Sequence, residues 1–243
     1  IYNKLNNDIS NLELSCRTQF FLEEIINSLE TKFHILIIED NSPDGTADIV
    51  KRLMLKHKDN LFIEERKGKL GLGTAYIHGF KWALKKNYNF IFEMDADFSH
   101  NPDDLIKLHN AAKEGGDVVI GSRYVKGVNV VNWPMSRVLL SYFASKYVKF
   151  VSGLPIHDST AGFKCYRRKV LEKIGFENIK FTGYAFQIEM KFRAWKYRFN
   201  IVEVPVVFTD RELGNSKMSK KIIIEAIFGV IKMKVKSIFK KYN

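Results

Sequence analysis

Four short apolar runs recur at intervals along the first half of the chain: FHILII (33–38), LFIEE (61–65), FIFEM (90–94) and DVVIG (117–121). Runs this short, each closed by turn-forming or polar residues, read as strands buried on both faces. Between them lie stretches with helical spacing, at 45–58, 73–86 and 102–113. In the last of these, Asn101 is placed to cap and Pro102 to occupy the first helical position. Parallel strands need long crossovers, and helices supply them. The alternation therefore predicts a mainly parallel sheet covered by helices. After about residue 122 the rhythm breaks. Helices near 137–150, 167–174 and 184–197 precede a strand at 201–208, which suits a substrate-shaping region.

The third run continues as FIFEMDADFSH, so the strand leaves the core directly into Glu93, Asp95 and Asp97. In open α/β sheets ligands bind beyond the carboxyl ends of strands. Residues two apart on an extended chain point the same way, which lets Asp95 and Asp97 face one ion. Mg²⁺ takes such a pair together with substrate phosphates, at roughly 2.0–2.1 Å. A solvated acidic turn capping the next helix is the competing explanation.

The formal net charge of +12 points to an anionic partner: nucleic acid, membrane surface or a phosphate-bearing substrate. The segment ERKGKLGLGTAYIHG (65–79) offers Arg66, Lys67 and Lys69 beside Gly68, Gly71 and Gly73. Glycine-rich turns before a helix expose N–H groups to anions. It matches neither the P-loop nor the dinucleotide fingerprint, and a tight basic surface loop explains it equally well. Arg123 ends the fourth strand, Arg137 opens a helix, and Arg211 and Lys217 follow the last strand. Cys16 and Cys165 form neither a metal motif nor a disulfide framework, so a reducing compartment is expected. No signal peptide is evident and no apolar run approaches the roughly 20 residues of a membrane span.

The segments IIEDNSPDGTADIV, KLGLGTAYIHGF, MDADFSHNPDDL, GSRYVKG, DSTAGFKCYRRKVLEKI, GYAFQIEM and VEVPVVFTDRELGNSKM run in order over 33–218. In them the chain resembles the dolichyl-phosphate (polyprenyl-phosphate) mannose synthases of glycosyltransferase family 2. The resemblance implies a GT-A, Rossmann-like α/β fold and inverting transfer from GDP-mannose to dolichyl or another polyprenyl phosphate. The product, dolichyl phosphate mannose, serves glycosylation and GPI-anchor synthesis. It also implies Mg²⁺ or Mn²⁺, and a place on the cytosolic face of the endoplasmic reticulum membrane, or of the cytoplasmic membrane in a prokaryote. Carried over by position, Ile38 and Asp40 contact the nucleoside. Asp95, Ala96 and Asp97 form the donor–metal site, with Ser99 as a further ligand, and Arg123, Arg211 and Lys217 hold phosphates. Asp158 and Glu189 fall in matching motifs with structural hydrogen bonding as their expected role. A related transferase using UDP-glucose is the alternative.

One departure stands out. Members of that family begin with an apolar strand and a Pro-Thr-Tyr-Asn-Glu-like turn that holds the base. Here the start reads IYNKLNNDISNLELSCRTQFFLEEIINSLE, with a helix expected over 20–30 but no such strand or turn. A donor-binding-impaired homologue is therefore a further reading. The transferase domain is assigned to 1–218, its first 19 residues atypical, and the remainder, 219–243, to a basic amphipathic helix. There Ile224, Phe228, Ile231, Val235, Ile238 and Tyr242 share one helical face, with Lys232, Lys236 and Lys240 on the other. Eight lysines against one acid over 217–243 suit an anionic membrane surface. Docking on a small membrane-anchoring subunit, or ordinary packing on the core, fits the same pattern. A nucleotidyltransferase is a weaker reading, given the matches after residue 120. Nucleic-acid binding, which wants a basic stripe with stacking aromatics, is not expected.

Overall fold

The structure is a computed structural model. It describes residues 33–177, 179–183, 185–210 and 220–239, together with Leu22, Glu23, Ile25, Ile26 and Tyr242. Of the helix expected over 20–30 these four residues are helical, and Leu22 and Ile25 are buried against the first strand's apolar cluster.

Strand β1 (Ile35–Glu39) runs parallel to β2 (Leu61–Glu65), with helix α1 (Thr46–Lys56) as the crossover. Asp44 starts α1 by accepting from Thr46 N at 3.0 Å, and Ile49, Val50 and Leu53 turn inward at helical spacing. Helix α2 (Leu72–Lys85) leads into β3 (Phe90–Glu93), and α3 (Asp104–Lys113) into β4 (Val118–Ser122). The expected start of α3 at Pro102 is shifted. Asn101 Oδ1 accepts from Asp103 N at 2.9 Å, which closes a turn, and the helix begins only at Asp104.

Past β4 come β5 (Val130–Val131), α4 (Met135–Ser152), β6 (Lys164–Arg167), α5 (Arg168–Ile174) and α6 (Ala185–Lys196). The expected strand over 201–208 is two pieces, β7 (Ile201–Pro205) and β8 (Phe208–Thr209), followed by α7 (Lys220–Phe239). Strand β6 escapes a reading by apolar runs, because KCYR carries two cations. It lies between β3 and β4, antiparallel to both, while β7 runs parallel to β4. The sheet is thus mixed, parallel-rich with one reversed strand.

Among the described residues the β1–β2 pair and the four-stranded sheet share no hydrogen-bonded strands. A cavity of about 310 Å³ lies between β1 and β3, walled by Ile35, Ile38, Ile91 and Phe92 and floored by Tyr76 and Trp82 of α2.

Helix α7 pairs with α4. Tyr147 Oη donates to Ile227 O at 2.9 Å, and Lys234 Nζ donates to Ser152 O at 3.1 Å. Its inward face is Gly229, Val230 and Ser237. The apolar stripe foreseen in the sequence points outward instead, so packing on the core does not account for it: Phe228 is 67% exposed and Ile238 70%. Helix α4 adds exposed Met135, Leu139, Phe143 and Phe150 on one side. No helix among the described residues is long and apolar enough to cross a membrane.

Candidate active site

The loop that leaves β3 carries both carboxylates. Tyr76 Oη, from α2, donates to Asp95 Oδ1 at 2.7 Å. Burial drives the Tyr76 phenol well up from its ordinary pKa, and the Asp95 charge adds to that. At neutral pH Tyr76 is therefore a donor that fixes Asp95. Asp97 Oδ1 accepts from Ser99 N at 3.1 Å, across Phe98 in the left-handed region at φ 59°. Ser99 and His100 are buried, and Ser99 Oγ and both His100 ring nitrogens have no hydrogen-bond partner among the described residues. Burial lowers the His100 pKa to about 4, so the ring is neutral near pH 7. The charges of Asp97, Arg123 and Asp158 all reach this ring, which marks one compact cluster.

Arg123 sits at the end of β4 and is held from behind. Its Nε and Nη2 donate to the two oxygens of buried Asp158, each at 2.7 Å, and Nη2 donates to Thr160 Oγ1 at 2.8 Å. Burial pushes the Asp158 carboxyl up, but the charge and hydrogen bonds of Arg123 outweigh it and hold the pKa down at about 2. Tyr124, Trp133 and Phe208 surround the guanidinium at 5.2, 5.4 and 5.6 Å from their ring centres. Short strands join these pieces. Thr209 N donates to Ser99 O at 3.2 Å, Phe208 N to Asn129 O at 3.0 Å, and Asn129 N to Arg123 O at 2.8 Å. Arg137 stacks on Trp133 at 4.0 Å and pairs with Asp210 at 2.5 Å. Arg211 and Lys217 lie outside the described residues.

The other expected residues occupy different surroundings. Ile38 is a core side chain that walls the cavity. Asp40 is buried and bound to Arg66 through two hydrogen bonds of 2.6 and 2.7 Å. Arg66 therefore neutralises a carboxylate first and is no simple phosphate ligand. Ala96 packs on the apolar cluster under β3. Gly73 serves packing: its N–H donates to Thr182 O at 2.8 Å, and an added Cβ would stand 2.8 Å from the Phe186 ring. That donor is spent inside the protein, contrary to the anion-cradle reading of the loop. Glu189 has the expected structural part, pairing with Arg193 at 2.6 Å and accepting from Lys180 N at 3.1 Å.

Among the described residues no group of three or more His, Cys, Asp or Glu side chains could hold a metal by itself. The residues present still fit a hard cation of the Mg²⁺ or Mn²⁺ type. Asp95, Asp97 and the orphaned hydroxyl of Ser99 supply oxygens from one short loop, and a substrate diphosphate and water would complete the shell.

The parallel-rich α/β sheet, with carboxylates in the loop after a strand end, has the architecture of the GT-A fold. Solved structures agree on the fold. The chain is similar to glucosyl-3-phosphoglycerate synthase from Mycobacterium tuberculosis in complex with UDP, with TM-score 0.64, 13% identity, and 97% of this chain and 78% of that one covered. It is also similar to a mannosyltransferase from Pyrobaculum calidifontis in complex with GDP-Man and Mn²⁺, with TM-score 0.53, 15% identity, and 98% and 72% covered. The sequence family is narrower. The model of glycosyl transferase family 2 matches residues 16–175. The polyprenol monophosphomannose synthase of Mycolicibacterium smegmatis is 49% identical over 81% of this chain and 74% of its own length. The undecaprenyl-phosphate mannosyltransferase of Micrococcus luteus is 43% identical over 81% and 80%. The chain belongs to glycosyl transferase family 2.

Proposed function

We propose that the chain transfers mannose from GDP-mannose to a polyprenyl phosphate such as dolichyl phosphate, with a divalent metal and inversion at the sugar carbon. The observation that carries this is the pair of relatives at 49% and 43% identity, both named for mannosyl transfer onto a polyprenyl phosphate. The site is compatible with it. Asp95, Asp97 and Ser99 would hold the metal, which when bound neutralises the diphosphate leaving group. Arg123 arrives pre-oriented by Asp158, with Arg211 and Lys217 as further phosphate ligands. The acceptor phosphate is an anion at neutral pH. Its oxygen attacks the anomeric carbon, the bond to the diphosphate breaks, and GDP leaves with the electron pair. No general base is needed, and positioning and charge stabilisation supply the catalysis.

A lipid-borne acceptor calls for membrane contact. The exposed apolar faces of α4 and α7 support peripheral attachment, with basic Lys146, Lys149, Lys232 and Lys236 exposed on the same two helices. The attachment is placed on the cytosolic face, at the endoplasmic reticulum in a eukaryotic cell, either directly or through a small anchoring subunit. The test is incubation with radiolabelled GDP-mannose, dolichyl phosphate and Mg²⁺ or Mn²⁺, against UDP-glucose and chelator controls. Mannosyl lipid and free GDP, lost on chelation, are the expected products. Transfer of glucose only, or no mannosyl lipid, would overturn the reading.

A further inference from the structure

Residues 153–163, between α4 and β6, form neither helix nor strand. No ladder of backbone bonds fixes them, yet they carry much of the site. Asp158 and Thr160 bind Arg123. Gly162 runs so near Asp95 that a Cβ there would lie 3.6 Å from Oδ2. This segment sets the relation between the arginine and the carboxylate.

Charged side chains from outside hold it. Glu203 of β7 accepts from His157 N at 2.7 Å and from Asp158 N at 2.9 Å. Lys191 of α6 donates to Ser159 O at 2.8 Å and Ala161 O at 2.7 Å. Lys164 adds a bond to Ala161 O at 3.2 Å, and also meets Glu93 and Gln187. Lys191 is fully buried and its ammonium donates to two main-chain carbonyls. Burying an ammonium is costly unless its hydrogen bonds are made. An aliphatic residue here would serve packing alone, take the Lys191 donor from the buried Ser159 carbonyl and leave Ala161 O to Lys164.

We propose that Lys191 is a positioning residue for the transfer site: its ammonium clamps the carbonyls of Ser159 and Ala161, which holds Arg123, through Asp158 and Thr160, in register with Asp95. The proposal rests on the function proposed above for its kinetic part only. Burial lowers the Lys191 pKa to about 7, with the Arg123 charge adding to that and Asp158 and Glu203 opposing it.

The experiment compares wild type with Lys191→Met, which keeps length but donates nothing, and Lys191→Gln, which keeps an amide donor. Hydrogen exchange reads the amides of 157–163, and steady-state mannosyl transfer separates kcat from the donor KM. The expected result for Lys191→Met is at least tenfold faster exchange in that segment and a kcat lowered at least tenfold, with donor KM within threefold. Lys191→Gln should recover part of both. Faster exchange with kcat unchanged would make Lys191 merely structural and overturn the proposal, as would unchanged exchange. If Lys191→Met does not fold, Lys191→Gln carries the same criteria at a threefold threshold. A wild type that transfers no mannose while the exchange effect appears would refute the proposed function and leave the clamp standing.

Discussion

The guanidinium of Arg123 and the fully buried carboxylate of Asp158 face each other through two hydrogen bonds of 2.7 Å. Asp158 has a folded pKa of about 2, below its ordinary 3.8. A carboxylate with a depressed folded pKa stabilises the fold above its unfolded pKa and loses that contribution as pH falls through the folded one. Stability should therefore decline between about pH 4 and pH 2, by about 2 kcal/mol from this group. Asp158→Asn should flatten that part of the curve of urea midpoint against pH. At pH 7 it should also destabilise by about 3–5 kcal/mol, since a buried guanidinium loses its counter-charge.

Removing the Tyr76 hydroxyl takes away a donor that orients Asp95. Tyr76→Phe keeps the ring stacked on Phe186, so folding should be little affected. Loss of an outer partner typically costs 10–100-fold in metal affinity. Mn²⁺ binding by electron paramagnetic resonance should weaken by about that factor, and Asp97→Ala should abolish both binding and metal-dependent transfer. Wild-type Mn²⁺ affinity in Asp97→Ala would remove the metal assignment.

Gly73 is a packing position. An added Cβ would stand 2.8 Å from the Phe186 ring and 2.9 Å from Phe181 O. Overpacking of this kind costs typically about 1–3 kcal/mol. Gly73→Ala should lower the denaturation midpoint accordingly, while Gly68→Ala, which meets no neighbour but has φ 159°, should matter less. Equal midpoints for Gly73→Ala and wild type would contradict the close approach of α2 to residues 181–186.

Attachment to anionic vesicles should involve two helices. Deleting 220–243 should weaken co-sedimentation without abolishing it, because α4 keeps Phe143 and Phe150 exposed. Adding Phe143→Glu and Phe150→Glu to the deletion should release the protein. Each basic residue near the surface contributes about 1 kcal/mol, screened within a Debye length, so high salt should loosen the wild type in part. Complete release by the deletion alone would confine the membrane face to α7.

The sheet was readable where burial on both faces forces continuous apolar runs, as in β1 and β4. Strand β6 was not, because Lys164 looks like a surface residue until Glu93 is seen opposite it. The same blindness covers Lys191: a lone charge in sequence reads as solvated, and only tertiary structure shows what it pairs with. The placement of Asp95 and Asp97 just past a strand end was legible because strand and turn are local. The stripe on α7 was legible as a face, but which side met the core depended on Gly229 fitting against Phe181, a contact far from it in sequence.

The cavity between β1 and β3 bears on how this protein responds to compression. Unfolding eliminates packing voids, so the unfolded chain occupies less total volume, and the difference grows with the void eliminated. Hydrostatic pressure, which leaves covalent structure alone, should open the molecule at the join of its two sheets first. Trp82, on the cavity floor, is placed to report that opening by its fluorescence before Trp133 and Trp195 change.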